Sequence, residues 1–407
     1  MSRILFCVPH YPPTPGGAPA LFRDLARLWR QSGGESVVYT TGIPGRETSA
    51  GDGERDWRVR RFPLRPARWP AARAHLLGPV SRIGPARWRA ATGFPYLRTA
   101  DYRRFLARRA AAVDGPFDLI VCGVLPHCHF MEPAARLARR ARTPYLAVPL
   151  LHAGLLAHHP PDHILGPAAV PLLHGAARIA LMTEAETAPL VARGLPRSRL
   201  VVTAAGVDET APPGDGEAFA SRHHLDRRWV LQAGGLSGDK GTLDLLAAWT
   251  LRHDRGARDP LVLIGRPEPE VRQAVTSLPP GVRDLVHLLE DPSGPDWSGA
   301  LHGAAALVHP SRAESFGLIL LEAWRESVPV IVARAGGPSF LIRHETDGLL
   351  VPPGDPRHLA AAMDRLLGDA ALARQLARAG RQRLLDRFTW PQIFPRWRAL
   401  FAEAMAA

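Results

Sequence analysis

One lysine stands in a chain with fifty arginines, and its surroundings are chemically suggestive. Lys240 lies in Gly234-Gly235-Leu236-Ser237-Gly238-Asp239-Lys240-Gly241-Thr242, between the apolar run Trp229–Gln232 and a helical pattern. In such a glycine-rich strand-to-helix turn, free N–H groups, a helix N-terminus and a point charge converge, which suits a phosphate. The spacing is not that of a Walker A loop, because G-x-x-x-x-G-K-[ST] is absent. Without a ligand the same residue reads as a solvated lysine in a turn. Its being the sole lysine suggests a place where arginine's wide fork does not fit.

A second cluster runs Val308-His309-Pro310-Ser311-Arg312-Ala313-Glu314-Ser315-Phe316-Gly317-Leu318 and continues as a helical pattern through Glu322. On one helix, carboxylates eight residues apart sit about 80° and ~12 Å from each other. A retaining glycosidase needs its carboxyls ~5 Å apart and an inverting one less than ~10 Å, so the pair is not a hydrolytic dyad. It can instead touch two ends of an extended ligand, with the amides of Ser315, Phe316, Gly317 and Leu318 facing an anion between them. The ligand-free alternative is a glutamate in a first helical turn, which the helix dipole favours unaided. Cys122, His127, Cys128 and His129 invite a zinc reading, but their spacing matches no standard finger, and no metal is expected.

These groups need a frame. Short β-rich apolar runs alternate with longer helical patterns, the signature of βαβ units on parallel sheets. Strands are expected at Arg3–Pro9, Ser36–Thr41, Arg58–Pro63, Asp118–Gly123, Tyr145–Leu151, Arg178–Thr183 and Leu200–Ala204. Glycine, proline and acidic residues then interrupt the pattern, and a second series follows: Trp229–Gln232, Leu261–Ile264, Val286–Leu289, Ala306–Val308, Val330–Val332 and Leu349–Val351. The simplest architecture is two doubly wound, Rossmann-like α/β domains, 1–205 and 228–385, joined by a linker over 206–227. The last stretch, 386–407, carries Trp390, Trp397 and Phe401 at helical spacing and reads as a helix that packs back on the first domain. Ligands bind outside the carboxyl ends of strands in such sheets, where both clusters above fall.

Composition narrows the partners. The formal charge is +13, and the segment from Arg55 to Arg109 holds fifteen arginines against two acids, which accounts for all of it. Aromatic residues such as Trp57, Trp69 and Trp88 are interleaved there. That composition suits contact with an anionic membrane surface or attraction of an anionic acceptor, and coding bias toward arginine is the bland alternative. No nucleic-acid module is recognisable, so nucleic acid is not expected as a partner. Three cysteines (Cys7, Cys122, Cys128) are too few for a disulfide framework, and no apolar stretch is long enough to span a membrane. A cytoplasmic protein, peripheral at the inner face of the membrane, is the resulting expectation. A nicotinamide dehydrogenase is disfavoured because no G-x-G-x-x-G follows the first strand.

The run from His309 to Asp355 joins the Glu314/Glu322 spacing to Ala335-Gly336-Gly337-Pro338 and Asp347-Gly348-Leu349-Leu350-Val351. Together with Gly16-Gly17, Gly206-Val207-Asp208, Lys240-Gly241 and Phe388-Thr389-Trp390, it resembles the retaining GT-B glycosyltransferases of family 4 over nearly the whole chain. The resemblance implies the GT-B fold, two Rossmann-like domains facing across a cleft, and transfer of a sugar from a nucleotide-diphosphate donor, UDP- or GDP-linked, to an unidentified acceptor. No separate cofactor is implied. Glu314 is similar to the family's donor-sugar glutamate, Glu322 to the glutamate on the ribose hydroxyls, and Lys240 to the lysine that neutralises the leaving diphosphate, helped by the Phe316 and Gly317 amides. Gly16 and Gly17 match the loop approaching from the other domain, and His152 the histidine near the transferred sugar. The family usually carries an arginine at the position of Gly235, and Arg266 is the expected substitute cation. Alternatives on the same architecture are a nucleotide-sugar epimerase or an inactive binding protein.

Overall fold

The computed structural model describes residues 1–41, 58–62, 114–125, 127–154, 164–226, 228–290 and 294–407, with short pieces at 65–66 and 97–98 and the single residues 106 and 292. The first half contributes strands β1 (Arg3–Cys7), β2 (Glu35–Thr41), β3 (Arg58–Phe62), β4 (Arg65–Pro66), β5 (Leu97–Arg98), β6 (Leu119–Gly123), β7 (Tyr145–Val148), β8 (Arg178–Leu181) and β9 (Leu200–Val202). β4 and β5 pair with each other, and the rest form one parallel sheet in the order β3-β2-β1-β6-β7-β8-β9. The second half adds β10 (Val230–Ala233), β11 (Leu261–Ile264), β12 (Val286–Leu289), β13 (Ala306–His309), β14 (Val330–Ala333) and β15 (Leu349–Val351). These form a parallel sheet in the order β12-β11-β10-β13-β14-β15. The central strands are buried on both faces, which is why they read as unbroken apolar runs rather than alternating ones.

Each sheet reverses direction once. In the first the chain winds outward from β1 in one direction and from β6 in the other; in the second the reversal lies between β10 and β13. A crevice opens at such a reversal because neighbouring crossover connections leave to opposite faces. The residues just after β1, β6, β10 and β13 are therefore the ones the topology offers to a ligand.

The stretch 206–227, expected as a linker, holds a helix over Gly216–Arg222, capped by Asp215, whose Oδ1 accepts from Ala218 N at 2.8 Å. It packs on the helix Gly294–Gly303 of the second half so closely that a Cβ on Gly216 would lie 2.8 Å from Gly303 Cα. Phe219 meets Trp229 at a centroid distance of 5.0 Å, so this part of the stretch belongs to the second core. Only the chain around Val207 crosses between halves here. It is bridged to the returning segment by Val207 N to Phe388 O at 3.0 Å and Trp390 N to Val207 O at 3.2 Å.

The final helix, Trp390–Met405, lies on the first sheet. Trp397 donates its indole N–H to Ala204 O at 2.9 Å, and Phe401 sits edge-to-face on Phe6 and Trp29 at 6.3 and 5.6 Å. Trp390 Nε1 reaches Asp24 Oδ2 at 3.3 Å, which ties the same helix to Gly17–Gln31. No helix among the described residues is long and apolar enough to cross a membrane.

Most of the arginine-rich segment Arg55–Arg109, and with it the expected membrane or acceptor contact, lies outside the described residues. Within its described part, Arg60 has a structural job. Arg60 makes a two-point pair with the buried Asp114 at 2.6 and 2.8 Å, and Tyr39 donates its hydroxyl to the same carboxylate at 2.5 Å.

Candidate active site

The carboxyl ends of both sheets open into one cavity of about 530 Å³. From the second domain, the loop after β10 delivers Lys240 and the loop after β13 delivers Glu314. The two meet: Lys240 Nζ donates to Glu314 Oε2 at 3.0 Å and to Ala313 O at 2.5 Å. Gly241, at φ 71°, starts the helix Thr242–Asp254; a Cβ there would collide with Pro310 O at 2.2 Å. Only glycine lets the Lys240 turn close this tightly on the Glu314 loop.

The helix through Glu322 starts at Leu318, after Gly317 at φ 93°. Glu314 therefore sits on the loop before it, and the single-helix offset expected for the two glutamates does not apply. Both still line the cavity, as do Ser315, Phe316, Gly317 and Leu318. Glu322 Oε2 accepts from Trp297 Nε1 at 3.1 Å, and enclosure pushes its carboxyl up from the ordinary range. Burial also pushes the Glu314 carboxyl up, but the Lys240 ammonium, His309 and His152 more than offset that and hold it down at about 2. Glu314 is a fixed negative charge at neutral pH.

His309, at the end of β13, places Nε2 3.8 Å from Glu314 Oε2. Burial depresses its pKa to about 4, so the ring is neutral at pH 7. His152 is lowered in the same direction, first by burial and then by the nearby Lys240 charge. The loop that carries it is tied from beneath: buried Glu186 accepts from Leu151 N at 2.8 Å through one oxygen and from Met182 N at 2.6 Å through the other. Burial pushes the Glu186 carboxyl up to about 8 despite these bonds.

From the first domain, Gly16 and Gly17 come within reach of the second, and a Cβ on Gly17 would touch Leu318 Cδ1 at 3.5 Å. Two residues beyond His152 the approach is closer still. A Cβ on Gly154 would lie 2.0 Å from Arg312 O and 3.2 Å from Gly336 N, so backbone meets backbone across the cleft.

Family profiles for "Glycosyl transferases group 1" and "Glycosyl transferase 4-like domain" match residues 227–369 and 16–206. A D-inositol 3-phosphate glycosyltransferase of Frankia alni is 32% identical over 294 residues, 66% of this chain and 69% of that protein. The chain belongs to the group 1 glycosyltransferases. Matches to proteins of the same name in Salinispora tropica and Jonesia denitrificans cover 26% and 41% of those proteins. Among solved structures, HepE of Anabaena in complex with UDP and glucose superposes with a TM-score of 0.72 at 20% identity, covering 99% of this chain and 100% of that one. A sucrose-phosphate synthase from Thermosynechococcus elongatus gives 0.74 at 19% identity, with 100% of both chains covered. At these identities the likeness shows the fold, which is GT-B.

In this glycosyltransferase ten of the eleven residues singled out in the sequence line the shared cavity, and Arg266 does not. Its side chain is exposed, and what the structure uses is its carbonyl, which accepts from Leu236 N at 3.1 Å to hold the glycine-rich loop. Gly235 lines the cavity with open space where a side chain would begin. Several lining residues escaped the sequence reading. Gln232 sits at a buried position within β10 and donates to Lys240 O at 3.1 Å, and Trp297 holds Glu322. His309 was part of the motif but carried no assigned role. His10 went unremarked and His127 entered only in the zinc reading; both line the first domain's side, and only the sheet order could have shown them as neighbours. Among the described residues, no three His, Cys, Asp or Glu side chains gather as a metal-ligand set.

Proposed function

We propose that this chain is a retaining glycosyltransferase that moves a sugar from a nucleoside diphosphate, with UDP as the first candidate, to a hydroxyl acceptor. The observation that carries this reading is the Lys240 ammonium, held by Glu314 and Ala313 O beside the Ser315–Leu318 amides in a cavity that both domains line. That arrangement suits a diphosphate whose charge grows as the sugar–phosphate bond breaks. HepE, whose structure holds UDP and glucose, has the same fold and supports UDP as the first donor to try.

In this reading the anomeric carbon loses the bond to the phosphate oxygen, which keeps the electron pair. Lys240 shifts from its protein partners to that oxygen, and the loop amides share the load. Removing one such preorganised donor costs ~10²–10³ in rate. The acceptor hydroxyl adds to the face the diphosphate leaves, which retains configuration, and its proton passes to the departing phosphate oxygen. Glu314 is too acidic to deliver a proton at neutral pH. It serves as a fixed acceptor for sugar hydroxyls and as counter-charge to the developing cation. His152, neutral, hydrogen-bonds the sugar from the opposite domain, and Glu322 takes the ribose hydroxyls. Charge neutralisation in this scheme needs no metal.

A panel of UDP-, GDP- and dTDP-sugars, followed by calorimetry and by release of the nucleoside diphosphate, tests the reading. UDP-sugar binding and turnover, with proton NMR of the product reporting the donor's anomeric configuration, are the expected results. No binding of any nucleotide sugar at millimolar concentration removes the transferase reading, and an inverted product removes retention.

A further inference from the structure

One residue of the Glu314 loop holds the chain on both sides of Lys240. Arg312 follows β13 and precedes Glu314 by two residues. Its backbone N–H donates to Asp239 O at 2.9 Å, and Asp239 stands immediately before Lys240. Its guanidinium donates from Nη2 to Asp244 Oδ2 at 2.5 Å, and Asp244 lies in the first turn of the helix Thr242–Asp254, just after Lys240. The two attachments thus bracket the turn that carries the ammonium.

The side chain is itself confined. Arg312 and Asp244 are only 29% and 19% exposed, so solvent screens their attraction less than it does for a surface pair. The turn after β15 roofs the guanidinium: a Cβ on Gly354 would lie 2.7 Å from Nη2. At the other end of the residue, Arg312 O is the atom on which Gly154 of the first domain packs. Arg312 does not itself line the cavity, so whatever it does for a ligand passes through its neighbours.

We propose that Arg312 is a positioning residue for the transfer step: by gripping Asp239 and Asp244 it fixes the Lys240 turn against the Glu314 loop. The ammonium is then already in place when the leaving oxygen gains charge, and a preorganised donor is what such a step rewards. Its part in transfer rests on the reading above, whereas its hold on Lys240 does not.

The sole lysine of the chain supplies a readout that needs no turnover. Acetylation of Lys240 by acetic anhydride, followed by peptide mass spectrometry, reports how firmly the amine is held. In Arg312→Ala the rate should rise about tenfold, the worth of one lost hydrogen bond. With UDP-glucose, kcat should fall up to ~10²-fold, the cost of a displacement of about 1 Å, while KM moves much less. Arg312→Lys, which keeps a cation for Asp244, should recover part of kcat. In a Lys240→Ala background, Arg312→Ala should add little further loss, because nothing remains for it to position. Asp244→Asn breaks the pair without touching the Glu314 loop and should repeat the Arg312→Ala pattern in smaller measure, so it carries the comparison if Arg312→Ala fails to fold. A wild-type acetylation rate in both pair variants, or a double-variant loss equal to the product of the single losses, overturns the proposal. Faster acetylation in the variants, with no nucleotide-sugar turnover by the wild type, would instead count against the transferase reading alone.

Discussion

Two carboxyl groups, one beneath each side of the cavity, are displaced in opposite directions. Burial pushes both upward, yet Glu314 is held at about 2 because Lys240 and two histidines face it, whereas Glu186 rises to about 8 with only backbone amides for company. The second domain brings Lys240 and Glu314 to the cavity, whereas the described lining of the first domain includes no Asp, Glu, Lys or Arg. One molecule therefore supplies two electrostatic environments, one after β13 and one after β8.

The comparison breaks most simply at its charged end. Lys240→Ala leaves Glu314 without its counter-ion and the diphosphate without its cation, so turnover should fall ~10²–10³-fold in steady-state release of the nucleotide. A wild-type rate in this variant would sink the assignment. Next in size is the seam where the two sides meet. Gly154→Ala puts a methyl 2.0 Å from Arg312 O as the atoms now stand, so the halves must part. A displacement of about 1 Å between reacting groups can cost 10²-fold, and kcat should drop more than donor affinity does. Unchanged kcat would show that the contact is incidental.

The first-domain side can be probed through Glu186, which holds the Leu151–His152 loop. Its folded-state pKa lies above the unfolded value, so below about 4.5 both states are protonated, and the stabilisation it contributes is fully present there. From there to about 8 the folded state holds more protons than the unfolded one, and stability contributed by this group is lost as pH rises. Urea midpoints measured from pH 6 to 9 should therefore fall in the wild type. In Glu186→Gln the fall should be shallower, because no carboxyl remains to ionise. Parallel slopes would mean that the group titrates normally. The smallest change sharpens the contrast rather than breaking it. An arginine at Gly235 meets open space and adds a cation to the donor side, so Gly235→Arg should tighten UDP binding by calorimetry about three- to tenfold, the worth of one partly exposed charge-assisted bond.

Much of the frame was legible because of how parallel sheets are buried. Leu261–Ile264 and Leu349–Val351 are found at their expected limits, since strands covered on both faces must be apolar without a break, and so is Val286–Leu289, although it is a half-buried edge strand interrupted by His287. The helix Gly216–Arg222 was hidden by its glycine- and acid-rich setting, although Asp215 as a cap and Phe219 as a core residue were its signals. Lys240 and Glu314 could be singled out because charged residues in glycine-rich strand ends are conspicuous. Their contact, and the pairing of His10 with His127, could not be read, because strand order along a sheet is not written in local periodicity. Glu186 shows the same limit. Thr183-Glu184-Ala185-Glu186 announces a capping box, which the structure contains, but the bond to Leu151 depends on β7 lying beside β8.

The helix Trp390–Met405 has a consequence for how the chain is made. Chains emerging from the ribosome fold domain by domain, amino-terminal first. Here the layer that covers Phe6, Trp29 and Ala204 follows the second domain in the chain and is synthesised after it. The first domain must wait, with that face of its sheet open, while the entire second domain is translated and folds. The order of completion is thus reversed relative to the order of synthesis, and the growing chain carries an open apolar surface until that helix emerges.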